Sequence, residues 1–263
     1  MIVDADVHIS PTPQGGNSIG IDEALRRMDR SGVDRALVWL QPPYERSEVT
    51  AGNAYVYRAT REHPDRFIGF GWADPSLGVE RALEEVRRCT EEYGFAGVKL
   101  NGAQNGFVID DPEIALPVVD AIAATGTVLA LHIGGDAPEQ THPTRAGAIA
   151  RRRPDLRIMM VHMGGAAFHD LSRSAIEVAA AHQNITIIGS AIRPIPILTA
   201  IKRIGADRVC FGSDTPFELM HVEVAKYLAL LDGELPSDGR AKVMGGSILR
   251  VLQAASTYSG MQQ

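Results

Sequence analysis

Residues 128–165, VLALHIGGDAPEQTHPTRAGAIARRRPDLRIMMVHMGG, begin and end on nearly the same phrase. An apolar run closes on His132 and two glycines shortly after; a second apolar run closes on His162 and two more. Short apolar runs of this length, bounded by glycine, read as buried strands. Between them lies a helical stretch that stops at Arg151-Arg152-Arg153, just before Pro154. Cations in a last helical turn complement the helix dipole, so this basic run needs no ligand to explain it. The segment is a strand–helix–strand unit with a histidine at each strand end.

Outward from this segment the same alternation continues to both termini. Strands are predicted at 2–9, 35–40, 67–73, 97–101, 128–133, 157–163, 185–190 and 208–213. Helical patterns fall at 21–31, where Gly32 supplies a stop, and at 77–93, ended by Gly94. Further ones open at Pro112, cover 172–182, 194–204 and 217–231, and close the chain at about 238–255. Such a succession of βα units predicts a parallel sheet with its helices outside. Eight units close most economically into a (β/α)8 TIM barrel, here one α/β domain over residues 1–263 with a C-terminal helix. An open doubly wound sheet is the competing arrangement. It usually carries a Gly-rich nucleotide loop after its first strand. Here the first strand runs instead into His8-Ile9-Ser10-Pro11.

Composition narrows the function classes. The 263 residues carry a net charge of −6, with 45% hydrophobic and 22% charged residues. A mildly acidic chain lacks the basic footprint that nucleic acid demands. Two distant cysteines, Cys89 and Cys210, form no disulfide framework or CxxC motif. No apolar run is long enough to span a bilayer. With no leader-like start, a cytoplasmic protein acting on a small molecule is the expectation.

In a barrel of this kind the chemistry sits at the C-terminal ends of the strands. Strand alternation places Asp4, Asp6 and His8 on one face, with Val3, Ala5, Val7 and Ile9 on the other. Buried charges require a metal or a hydrogen-bonding partner. His132, His162 and Asp214 stand at the ends of strands five, six and eight, and Lys99 lies on strand four. Any one strand-end histidine reads first as a satisfied core residue. Three of them with two acids form a donor set suited to zinc, manganese or iron.

The segments VDADVHI (3–9), HPDRFIGFGWADP (63–75), GFAGVKL (94–100), LALHIGG (129–135), MMVHMGG (159–165), DRVCFGSDTPF (207–217) and KVMGGSILRVL (242–252) together resemble the amidohydrolase superfamily. The resemblance is to its amidohydrolase-related branch of aminocarboxymuconate semialdehyde decarboxylases, aromatic-acid decarboxylases and lactone hydrolases. It implies one divalent metal, zinc first and manganese as the alternative, held by Asp6, His8, His132 and Asp214. Asp6 stands where the family's His-x-His pair has its first histidine, which makes the site more anionic. His162 matches a histidine that stays beside the metal and acts on substrate or water. Lys99 stands where other branches bridge two metals; a substrate-facing or structural cation is expected here.

Two reactions fit these residues. In hydrolysis of a lactone, amide or related acyl bond, Asp214 takes a proton from water and His162 binds the carbonyl oxygen. In non-oxidative decarboxylation, Asp214 gives a proton to the carbon that loses carbon dioxide. The compact chain tilts the expectation toward the hydrolase. Lys99, Arg193, Trp72 and Asn101 are the expected substrate-binding residues. Residues 41–49 and 102–111 are expected to shape the pocket, with His142 and His169 on nearby loops. The resemblance also hints at a homodimer.

Overall fold

A computed structural model of the protein describes residues 1–12, 18–41, 48–165 and 170–259, with side chains as far as Gln253. His169 and most of the 41–49 loop therefore lie outside the described residues. The strands are β1 (Val3–Ile9), β2 (Arg35–Leu40), β3 (Phe67–Gly69), β4 (Gly71–Ala73), β5 (Gly97–Leu100), β6 (Val128–His132), β7 (Ile158–Val161), β8 (Ile185–Gly189) and β9 (Val209–Phe211). All neighbours pair in parallel, in the order β1-β2-β3 and β4-β5-β6-β7-β8-β9. β3 and β4 are one extended segment that changes partner at Phe70, whose N–H donates to the Val38 carbonyl at 2.9 Å. A parallel bridge between Val7 and Thr215 joins the first strand to the last, with the His8 N–H donating to the Thr215 carbonyl at 2.7 Å. The eight expected strands thus close into an α/β barrel.

Helices occupy the crossovers: α1 (Ile21–Ser31), α2 (Val49–Glu62), α3 (Val79–Arg87), α4 (Gly102–Asn105), α5 (Ala115–Ala124), α6 (Pro138–Thr141), α7 (Pro143–Arg152), α8 (Ser172–Ala181), α9 (Pro194–Ile204), α10 (Met220–Leu231), α11 (Ser237–Ala241) and α12 (Ser247–Ser259). Sequence logic is plain in α1. Ile21, Ala24 and Met28 form its buried stripe, Asp22 and Glu23 sit in the positive first turn, and Gly32 ends it in the left-handed conformation. Pro194 opens α9, and Gly205 closes it at a positive φ of 88°.

Two apolar layers result. Inside the barrel, Leu37, Trp39, Phe70, Val128, Ala130, Met159, Val161, Ile188 and Cys210 pack together. Outside, Val38, Leu40, Leu129, Leu131, Met160, Ile187 and Phe211 pack against the helices. Burying each large side chain contributes roughly 1.5–3 kcal/mol.

The first strand departs from simple alternation. Asp4 pairs with Ala36 and Val7 with Val38, so three steps on β1 match two on β2. This bulge puts Val3 and Ala5 in the interior layer, while Val7 and Ile9 join the outer one. Asp4 therefore does not share a face with Asp6 and His8, as alternation alone predicts. It accepts hydrogen bonds from the backbone N–H groups of Ser213 (2.8 Å) and Asp6 (3.1 Å). A bulge beside a functional site re-aims the side chains that follow it.

Candidate metal centre

Beyond the bulge, Asp6 and His8 turn to the mouth of the barrel and meet Asp214, which follows the last strand. Each of the three offers a ligand atom within 4.8 Å of the others, and all three are buried. His8 Nε2 lies 3.4 Å from Asp6 Oδ1 and 3.6 Å from Asp214 Oδ1. Its Nδ1 lies 3.1 Å from the Leu40 carbonyl, which can only accept, so the ring proton sits there. Trp39 donates its indole N–H to Nε2 at 3.0 Å, which confirms a lone pair on that nitrogen.

The electrostatics call for a cation at this point. Burial and Lys99 push the His8 imidazole down, but Asp214 and Asp6 outweigh them and hold its affinity for positive charge above the usual value. Burial raises the Asp6 carboxyl, yet the Lys99 charge and the neighbouring His8 and His162 rings hold it well below the ordinary carboxylate range. Asp6 Oδ1 is buried without a hydrogen-bond partner. An orphaned carboxylate oxygen, an imidazole lone pair and a second carboxylate fit one divalent metal ion.

The site opens on a cavity of about 380 Å³, lined by His8, Lys99, Asn101, His132, His162 and Asp214 and by Phe217 and Glu218 at the rim. Non-glycine residues with left-handed backbone are uncommon. Among the described residues there are four, His162, Met163, Ala191 and Asp214, all at the ends of β7, β8 and β9. Such conformations persist where surrounding structure enforces them, typically at working sites. At His162 the turn breaks strand alternation: Val161 already faces the interior layer, and the next residue still lines the cavity.

His132 is placed differently from the other expected ligands. Its Nε2 lies 2.9 and 3.1 Å from the two carboxylate oxygens of Asp136. Burial raises the Asp136 carboxyl, and the bond with His132 more than reverses that. Gly134 makes this contact possible, because a Cβ there would sit 2.0 Å from Asp136 Oδ1. His162 packs edge-on to His132, with ring centroids 4.6 Å apart. Its Nδ1 lies 3.0 Å from the Ser190 hydroxyl, which also lies 2.5 Å from Asp6 Oδ2. Burial lowers the His162 imidazole to about 4, so the ring is neutral near pH 7.

The expected substrate-binding residues divide. Lys99 lies at the cavity floor, fully buried, with Nζ 3.8 Å from Asp6 Oδ1 and 3.8 Å from the centre of the Trp39 ring. Asn101 lines the cavity but spends its amide on the Gln104 backbone and side chain. Trp72 is fully buried below the cavity, with its N–H on Asn105 Oδ1 at 3.1 Å and its ring 5.4 Å from Lys99 Nζ. Arg193 points to solvent, paired with Asp170 at 3.3 Å, and does not line the cavity. His142 caps α7 by accepting the Thr144 N–H.

Asp136 and Ser190 carry site contacts that the sequence reading passed over. Asp136 lies one short loop beyond His132. Ser190 follows Thr186 and Ile188 on the inward face of β8, so alternation marks it as a polar residue where an apolar one is ordinary.

Comparison with known proteins supports a common ancestry for this arrangement. The chain is 22% identical to 2-amino-3-carboxymuconate-6-semialdehyde decarboxylase of Dictyostelium discoideum, over 88% of its own length and 76% of that protein's. In fold it is similar to a 2,6-dihydroxybenzoate decarboxylase solved with 2,6-dihydroxybenzoate, with a TM-score of 0.77, 20% identity, and 96% and 99% of the two chains covered. A dihydroxybenzoic acid decarboxylase from Polaromonas sp. JS666, solved with manganese and 2-nitroresorcinol, superposes with a TM-score of 0.73 at 18% identity, covering 96% of each chain. The amidohydrolase family model matches residues 3–253, nearly the whole barrel from the first strand into the last helix, and the chain belongs to that family.

Proposed function

We propose that the protein is a metal-dependent carboxy-lyase that removes carbon dioxide from a small aromatic or unsaturated carboxylic acid. The observation that carries this reading is Lys99: a fully buried cation on the cavity floor whose Nζ has no hydrogen-bond partner. Asp6 and the Trp39 ring balance its charge, but its N–H groups are left without acceptors, which is costly in a buried site. A substrate carboxylate at that point supplies the missing acceptors, whereas a neutral ester or amide supplies only a carbonyl. The decarboxylase relatives support the same choice over the hydrolase expected from chain length.

Asp6, His8 and Asp214 would hold the metal. Two carboxylates to one imidazole make an oxygen-rich set, which favours manganese, with zinc as the competitor. When bound, the ion would polarise substrate oxygens and neutralise developing charge. His132 would join through Nε2 once Asp136 released that nitrogen; otherwise Asp136 would take its place as a ligand.

The protein's own side chains do the rest. Lys99 anchors the carboxylate and orients the scissile carbon–carbon bond. Asp214 delivers a proton to the carbon as that bond breaks. The bonding electrons stay on the carbon and carbon dioxide leaves neutral. His162 then accepts or relays the proton with which Asp214 is reset. Phe217, edge-on to His8 at 5.5 Å, helps exclude water.

Hydrolysis is the second reading, favoured by one observation: Asp214 and the neutral His162 ring line one cavity and could both accept protons from a water. Manganese-loaded protein should release carbon dioxide from hydroxybenzoic acids and leave lactones intact. Lactone opening without carbon dioxide release from any acid would replace the first reading by the second.

A further inference from the structure

Ser190 has one hydroxyl proton and two neighbours that compete for it. It sits at the end of β8, fully buried, 2.5 Å from Asp6 Oδ2 and 3.0 Å from His162 Nδ1. An ionised carboxylate can only accept a hydrogen bond. The Ser190 hydroxyl donates to Asp6 Oδ2, the shorter of its two contacts, and so spends its proton there. The Ser190 oxygen is left as an acceptor toward His162, and the bond exists only if Nδ1 carries the ring proton. In a neutral imidazole the other nitrogen, Nε2, then has the lone pair. No protein group among the described residues hydrogen-bonds Nε2, and His162 lines the cavity.

We propose that Ser190 is a positioning residue that locks His162 in the Nδ1–H tautomer, so that the ring accepts a hydrogen bond from whatever occupies the cavity. This reverses the donor role that the sequence alone suggests for His162. It also sets a preference: a ligand hydroxyl, a protonated acid or a water is welcome beside Nε2, and a bare carbonyl or carboxylate oxygen is not. The acid substrate proposed above would therefore turn its carboxylate to Lys99 and a hydroxyl to His162. That orientation rests on the carboxy-lyase reading; the tautomer does not.

The fold supports the device from three strands. Ser190 and Asp6 are 184 positions apart in sequence, and β9 runs between them. At that crossing the residue just after β9 is Gly212. A Cβ there would lie 3.0 Å from Asp6 Cβ, 3.3 Å from Ser190 Cβ and 2.6 Å from Ile188 Cγ2. The missing side chain leaves the lane through which the serine reaches the carboxylate.

Nitrogen NMR of metal-free protein labelled with ¹⁵N-histidine tests this without turnover. His162→Gln identifies the His162 signals by their loss. The wild-type ring should show a protonated Nδ1 and an unprotonated Nε2 at neutral pH. Ser190→Ala should move the population toward the Nε2–H form that free imidazole side chains favour, and Ser190→Thr, which keeps a hydroxyl, should restore the wild-type pattern. A wild-type ring protonated on Nε2 would overturn the proposal, as would an Ala variant with unchanged signals. The wild-type spectrum decides the tautomer even if the Ala variant does not fold. A failed tautomer leaves the carboxy-lyase reading standing, and absent carbon dioxide release leaves the tautomer standing.

Discussion

Asp4 and Asp6 stand two positions apart and live in opposite worlds. Asp6 faces a lysine, a serine hydroxyl and the metal position, and stays ionised. Asp4, turned away by the bulge, is fully buried with Oδ2 unpartnered, and burial raises its carboxyl to about 7. Between 3.8 and about 7 the folded protein holds a proton that the unfolded chain releases, so stability falls as pH rises through that window. The displacement corresponds to on the order of 4 kcal/mol. Asp4→Asn, which mimics the protonated acid, should flatten this slope in the metal-free protein. Denaturant midpoints should differ from wild type at pH 8, with the variant more stable, and converge near pH 4. A wild-type slope retained in the variant would move the buried proton elsewhere. That His8, His162 and Asp214 gather at one cavity was readable, because polar residues at strand ends stand out against an apolar pattern. The orientation of Arg193 was not, since its exposure depends on Asp170, a loop residue on the preceding crossover. At the same scale, His132→Ala should weaken manganese binding by isothermal titration, and Asp136→Asn separates the two possible roles of that pair. If Asp136 only orients His132, the Asn variant loses little affinity; if Asp136 ligates, it loses about as much as His132→Ala.

Elements were legible where one period dominated. The strand at 35–40 and the helices at 21–31 and 194–204 follow from periodicity, and the structure places them there, while the strand expected at 128–133 ends one residue earlier at His132. Helix α2 was not named from sequence. Its VTAGNAYVYRATRE mixes glycine and β-branched residues that favour helix weakly, and it forms because Val49, Gly52, Asn53, Val56 and Ala59 bury one stripe. Asn53 adds two bonds to the Trp72 backbone, a tertiary gain that no local pattern shows. The bulge in β1 was hidden for a related reason: VDADVHI alternates well in sequence, and only pairing with β2 reveals the extra residue. Glycines inside strands mark close approaches of this kind. At Gly97 a Cβ would lie 2.1 Å from the Val128 carbonyl oxygen and 2.4 Å from Phe70 Cζ. Neither the backbone of β6 nor the interior Phe70 can yield cheaply. Gly97→Ala should therefore cost about 3 kcal/mol or more, within the range of severe overpacking. Urea unfolding checks it; a loss below about 1 kcal/mol would show that β5 and β6 slide apart more easily than their register implies.

For the whole molecule, the seam between the first and last strands and the proposed metal position coincide. β1 and the segment after β9 close the barrel through Val7 and Thr215, and Asp6, His8 and Asp214 project from those same two segments. A cation held there ties the first strand to the last, where ladder pairing is a single bridge among the described residues. Binding to the folded barrel but not to the unfolded chain stabilises by RT ln(1 + [L]/Kd), about 2.7 kcal/mol at a hundredfold excess over Kd. For a chain of this size that raises the melting temperature by roughly 5–10 °C. Manganese should produce such a rise, increasing with the logarithm of its concentration. Asp214→Asn should remove most of it, because the site loses one of its two ligating charges. His162→Gln should keep the rise in full while activity falls, since His162 contacts the site through Ser190 and is not part of the three-residue donor set. Equal manganese shifts in both variants would place the ion away from the β1–β9 seam, and the link between ion and barrel closure would be lost.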